Sequence, residues 1–293
     1  MIGELGALGC APLWAISSIL IKSQSDKLNA LQINAIRGLF AAAFAVAIFF
    51  PTGRIGLLAS LSLSSIIYLL VAVIIGFVAG DTLFIKGMAI IGVSKALPMS
   101  IIYPIFVLPF SIFIVGEHLS LANIAGIFIA VAGLYLITNP RNGSEGALVA
   151  TRRQHWLGVS YVLAATLLWA IGTVILGFAM ADLDPILAGA IRMPFMAMIL
   201  FALVYMKANS ANTWSHGFRT LIIVGLAGVL GIGLGGLLFM IGVKYAGAAK
   251  TAILSSTAPL FGVPLSMLML RERITLRIVA GTVLCVAGIW FVI

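Results

Sequence analysis

The sequence predicts an all-α integral membrane protein whose ten transmembrane helices form two inverted five-helix repeats. Of its 293 residues, 62% are hydrophobic and only 9% charged, with a mean hydropathy of +1.22, a composition no water-soluble domain needs. Stretches 55–80, 220–243, 251–270 and 278–293 carry no Asp, Glu, Lys or Arg, and about 20 residues at 1.5 Å each cross a hydrocarbon core. The third observation is a repeated phrase. "SKALPMSIIYPIF" from Ser94 returns as "AKTAILSSTAPLF" from Ala249, so Lys95 and Lys250, Ser100 and Ser255, and Pro104 and Pro259 all stand 155 positions apart. Closed β-barrels, the other spanning solution, would alternate apolar and polar residues, and no such alternation is visible.

The first apolar stretch, Gly6 to Ile21, has no basic segment before it and no small-residue cleavage site after it, so it reads as a span near 3–21 rather than a removable signal. Further spans follow near 30–50, 64–86, 94–115 and 120–138, completing a first unit, 1–139. The linker 140–154, "PRNGSEGALVATRRQ", is the only long polar stretch. A second unit, 155–293, holds spans near 157–180, 185–206, 219–243, 249–270 and 274–293.

The units align without a gap at the offset of 155, Trp14 falling on Trp169, Arg37 on Arg192, Gly80 on Gly235, Phe84 on Phe239, Gly92 on Gly247 and Glu117 on Glu272. Chance apolar similarity does not keep Trp, Arg, Lys, Pro and Glu in register, so the chain is internally duplicated. Five is an odd number of crossings. A second unit inserted like the first therefore lies upside down in the bilayer, the arrangement many secondary transporters use to build two gates around a midplane site.

Several residues are candidates for such a site. Arg37 and Arg192 lie about seven residues inside their spans, roughly 10 Å deep, where a charge costs about 2.5–3.5 kcal/mol on insertion scales. They either attract an anion or carboxylate, or tie helices together by satisfying backbone carbonyls. Asp81 breaks the symmetry, since its repeat mate is Gly236; it is a proton carrier, an ammonium contact, or an ion-pair partner of Lys86 or Lys95. Lys95 and Lys250 open their spans, where the helix dipole opposes them, which leaves topology, lipid headgroups or a pathway entrance as their reason. Ser100, Tyr103, Ser255, Ser256 and Thr257 offer hydroxyls to a pathway or to their own helix carbonyls. Pro104, Pro109, Pro259 and Pro264 are candidate hinges that free carbonyls. Glu117 and Glu272 end their spans as gate or capping residues, the second flanked by Arg271 and Arg273.

Other chemistries lack residues. Cys10 and Cys285 fall in apolar segments, which supports neither a disulfide nor a CxxC site. His118, His155 and His216 sit at span ends or in loops, and no HExxH occurs, so no metal, cofactor or enzyme activity is expected. Gly231, Gly233 and Gly236 spell GxGxxG without a preceding strand, and read as helix-packing glycines, like Gly3, Gly6 and Gly9. The net charge of +9 follows positive-inside sorting better than nucleic-acid binding. By that rule the termini face outward.

The duplicated residues resemble the drug/metabolite transporter superfamily, specifically its ten-span EamA-type permeases. The likeness rests on the Trp of "LWAI" in spans one and six, the Arg of "AIRGLF" and "AIRMPF", the turns "GMAIIGVSKA" and "GVKYAGAAKT", and the "P…P…GE" and "P…P…RE" endings of spans four and nine. The resemblance implies a secondary exporter or exchanger of small metabolites, amino acids or organic acids among them, in the plasma or inner membrane. It also implies Trp14 and Trp169 as cavity walls, and cytoplasmic termini, against the charge count. Alternating access would use a cavity between spans one, three, four, six, eight and nine. A substrate gradient, or protons through Asp81, would drive it, since no Walker A sequence is present. The expected partners are a small-molecule substrate and membrane lipid, for a monomer or homodimer. The alternatives are a sensor or scaffold with the same fold, and an exporter of lipophilic drugs.

Overall fold

The computed structural model describes residues 1–107, 109, 121–138, 152–206, 217–272 and 274–291, and every regular element among them is helical. Seven helices are long and apolar enough to cross a membrane: Ile2–Lys22, Ala30–Thr52, Leu63–Ile91, Arg152–Met180, Pro185–Met206, Phe218–Ala246 and Ala248–Leu270. Three shorter apolar helices, Val93–Val107, Leu121–Thr138 and Leu276–Phe291, complete ten described spans, numbered one to ten in chain order. Leu5, Ile67, Phe128, Met198 and Leu268 are exposed on the outside, the surface that lipid chains solvate.

Local chemistry sets the span boundaries. Span two starts at a capping box, Asn29 accepting from Gln32 N at 3.0 Å while Gln32 accepts from Asn29 N at 3.1 Å. Asp184 accepts from Ile186 N and Leu187 N at 3.0 and 3.1 Å, with Pro185 preset for the first turn of span seven. Spans three and eight both stop at a glycine with positive φ, Gly92 at 82° and Gly247 at 85°, where any side chain would strain.

Two irregularities recur in both repeats. Spans three and eight pass through π-helical stretches, Ile74–Asp81 and Gly228–Gly235, which loosen the ordinary hydrogen-bond ladder. Neighbouring side chains donate to carbonyls there, Asn34 Nδ2 to Phe77 O at 2.8 Å and Trp14 Nε1 to Gly231 O at 3.0 Å. Spans four and nine both break into a turn, at 101–102 and 256–257. Pro104 and Pro259 sit just past these breaks, each lacking the N–H a continuous helix would use. Pro109 and Pro264 lie farther on and are exposed.

The inversion is visible in paired contacts. A Cβ on Gly3 would stand 2.7 Å from Ala246 N, and one on Gly158 would stand 2.6 Å from Ile91 Cγ2, the same contact displaced by the repeat offset. The first occurs where span one begins. The second lies at the opposite end of span one, where Lys22 Nζ donates to Ala89 O at 2.9 Å. Residues that touch their own repeat mate mark the pseudo-two-fold axis. Ser256 Oγ reaches Ile101 O at 3.5 Å, and Cys285 Sγ reaches Ala130 O at 3.3 Å, each across 155 positions. The core is shared by the halves: Met88 and Leu97 pack with Val162, and Leu69 packs in a second cluster with Leu176 and Phe239.

Candidate functional site

A cavity of about 1020 Å³, counted out to its mouth, lies between the repeats. Spans one, three, four, six, eight and nine line it as expected, and spans two and seven join them because Arg37 and Arg192 reach its wall. Ser17, Ser18 and Thr173 contribute hydroxyls to its wall, and three further sets of polar groups stand out.

The first set is a buried charge network, in which Arg37 Nε, like Arg192 Nε, has no hydrogen-bond partner among the described residues. Arg37 and Asp81 are only 6% and 7% exposed, and Arg37 Nη1 stands 3.2 Å from Asp81 Oδ2. Trp169 Nε1 donates to the other carboxylate oxygen at 2.9 Å, so span six holds span three through this acid. Asn34 braces the arginine, its Oδ1 accepting from Arg37 Nη1 at 3.4 Å while its Nδ2 donates to Thr82 Oγ1 at 3.0 Å. Asp81 thus pairs with neither Lys86 nor Lys95. Five residues at about 100° each put Lys86 on a different face from Asp81, and it is exposed, 5.8 Å from the Tyr161 ring. Lys95 sits half-buried at the start of span four.

The second set is Arg192, at 4% exposure. Its guanidinium lies 4.7 Å from the Phe77 ring, and its Nε has no hydrogen-bond partner. Among the described residues no carboxylate comes within 4.0 Å of it. The aromatic surroundings are nevertheless duplicated. Trp169 packs on Phe84 with centroids 4.9 Å apart, and Trp14 packs on Phe239 at 5.2 Å.

The third set is a belt of hydroxyls whose protons are engaged within the protein. Ser100 Oγ donates to Leu97 O at 2.7 Å, and Ser255 Oγ and Ser256 Oγ both donate to Ala252 O, at 3.0 and 2.7 Å. Tyr103 Oη lies 2.9 Å from Ser255 Oγ, and because the serine proton is already committed, the tyrosine is the donor. These oxygens keep only acceptor capacity toward the cavity.

The remaining candidates lie elsewhere. Lys250 is exposed and donates to Glu4 Oε1 at 2.9 Å; neither it nor Lys95 lines the cavity, because the Gly92 and Gly247 turns place both at span starts. Glu272 accepts from Val93 N and Ser94 N at 2.8 and 2.7 Å, capping span four from the end of span nine. Glu117 lies outside the described residues. Phe77 and Asn34 escaped the sequence reading; the lone polar Asn34 three residues before Arg37 was the available signal. Among the described residues no group of three His, Cys, Asp or Glu side chains is placed to hold a metal ion.

The model of the EamA-like transporter family matches residues 1–139 and again 156–293. The chain belongs to the EamA-like transporter family. This EamA-like protein is 26% identical over 292 residues to an uncharacterized transporter of Archaeoglobus fulgidus, with 99% of this chain and 97% of the relative covered. It is also 26% identical to the uncharacterized transporter YvbV of Bacillus subtilis over 190 residues, 64% of this chain and 59% of that one. A solved structure described simply as the crystal structure of a protein shares its fold, with TM-score 0.70 at 17% identity over 99% of this chain and 95% of its own.

Proposed function

We propose that this EamA-like transporter is a secondary exporter or exchanger of amino acids and related small carboxylates in the plasma or inner membrane. The observation that carries the reading is the polarity of the cavity: a guanidinium without an acid partner faces the same space as hydroxyl oxygens that can only accept. A guanidinium suits a carboxylate, and hydroxyl lone pairs suit an ammonium group. The Trp14, Trp169 and Phe239 rings suit an apolar side chain between them. A bulky lipophilic cation would meet a net positive wall.

In this reading the repeats rock about their pseudo-two-fold axis, exposing the cavity alternately to each side. Both carboxylate oxygens of Asp81 are occupied, by Arg37 and Trp169, so it serves as a tie between the halves, and the substrate's own gradient drives transport. The test is counterflow in proteoliposomes with labelled L-leucine, benzoate and a lipophilic cationic dye. Saturable exchange of L-leucine or benzoate is expected. Exchange of the dye alone would make the protein a drug exporter, and no flux of any solute class would favour a sensor.

A further inference from the structure

In the second repeat Gly236 holds the position that Asp81 holds in the first. We propose that the carboxylate of the transported molecule docks beside Gly236 as the counter-ion of Arg192, filling the acid position that the second repeat lacks. The inference rests on the transport reading above and names the ligand contact within that site.

Four observations converge on this subsite. Arg192 is buried in a membrane-spanning helix with no carboxylate within 4.0 Å among the described residues, whereas its mate Arg37 holds Asp81 directly; Asp81 reaches Arg192 only at longer range, and a buried charge at that depth is costly unless it is fully balanced. Position 236 lies beside the cavity wall: Phe239, three residues on in the same α-helix, lines it, as do Gly231 and Ile232 just before it. There is room as well: a Cβ on Gly236 would meet only Met193 Cε, at 3.6 Å, an ordinary contact, while one on the adjacent Gly235 would press on Trp14 at 3.1 Å. Finally, Arg37, Arg192 and Asp81 together leave one positive charge. A single carboxylate neutralises it.

The ligand class is therefore a small molecule with one carboxylate free to reach Arg192, whether or not it also carries an ammonium group. Transport mode follows from the same balance. The loaded site is neutral and the empty site is charged, so the occluded state forms more readily with substrate aboard than without it. The protein is expected to favour exchange over net one-way flux.

Benzoate and benzamide, alike in shape and different in charge, are the probes, with binding read by thermal shift and tryptophan fluorescence on the purified full-length protein. Wild type is expected to bind benzoate and to ignore benzamide. Gly236→Asp, which supplies an internal acid, should weaken benzoate binding by about tenfold or more beyond the loss seen in Gly236→Asn, which adds the same bulk without the charge. Equal losses in the two variants, or no charge preference in wild type, would overturn the subsite. Arg192→Gln is the second arm should Gly236→Asp fail to fold: loss of benzoate binding supports the subsite and retention overturns it. L-leucine counterflow unaffected by Gly236→Asp would remove the subsite and leave the transport reading standing. Charge-dependent benzoate binding that needs Arg192, without flux of any solute, would keep the subsite and remove transport.

Discussion

Arg37 and Arg192 occupy equivalent positions in the two repeats, both buried and both lining the cavity, yet one holds an acid directly and the other does not. Arg37 is held by Asp81 and Asn34, and Asp81 in turn by the indole of the opposite repeat. Arg192 has an aromatic ring beside it and, among the described residues, no carboxylate within 4.0 Å; Asp81 reaches it only at longer range. The difference traces to two positions, Asp81 against Gly236 and Asn34 against Gly189. The walls of the cavity are duplicated, while both polar side chains that hold Arg37 have glycine as their mates.

The comparison predicts unequal consequences for mutation, the greatest at Asp81. Asp81→Ala leaves Arg37 buried without its acid, and breaking one side of a buried pair costs about 3–5 kcal/mol. Thermal melting in detergent should show this loss, and the double variant Arg37→Met with Asp81→Leu should recover most of it. A melting point equal to wild type in Asp81→Ala would mean that Arg37 finds another partner and that the two arginines are less different than their surroundings imply.

The tryptophans come next. Trp169 donates to a carboxylate and Trp14 to a backbone carbonyl, so Trp169→Phe should cost about 1.5–3 kcal/mol and Trp14→Phe about 0.5–1.5 kcal/mol. Equal losses from the two would argue that ring packing, which both phenylalanines retain in part, dominates over the hydrogen bonds. A smaller contrast is expected at the turns. Alanine at either Gly92 or Gly247, where φ is positive and ψ extended, meets backbone strain of about 1–3 kcal/mol. At Gly92 its Cβ would also sit 2.9 Å from Glu272 Oε1, while at Gly247 no described atom lies within 4 Å. Gly92→Ala should therefore melt lower than Gly247→Ala, and reversal of that order would show that the Glu272 cap yields easily.

Much of this architecture was legible in the sequence because it depends on composition and on a constant offset. Span positions follow from apolar length, the inversion from an odd number of spans per repeat, and the breaks in spans four and nine from Pro104 and Pro259. The π-helical stretches left no such trace, since a glycine-rich apolar span reads alike whether its ladder is regular or widened. Nor could spacing reveal the partner of Asp81, which lies 44 positions upstream on another helix. For Lys95 and Lys250 the sequence left the role open for a related reason: charge in an apolar region signals either a wet cavity or a helix end, and the turns at Gly92 and Gly247 put both at span starts.

The smallest effect on stability, and the sharpest test of the comparison, belongs to Arg192. A methionine there removes a buried charge and orphans no acid, because none is paired with it among the described residues. Arg192→Met should melt within about 1 kcal/mol of wild type, or above it, since replacing buried charge by a well-packed apolar group is often neutral or stabilising. L-leucine counterflow should nevertheless be lost, which separates binding from folding in one variant. If Arg192→Met instead destabilised the protein as much as Asp81→Ala, both arginines would be structural. The carboxylate would then lose its cationic contact, and the hydroxyl belt of spans four and nine, which offers acceptors, would select an ammonium rather than an acid.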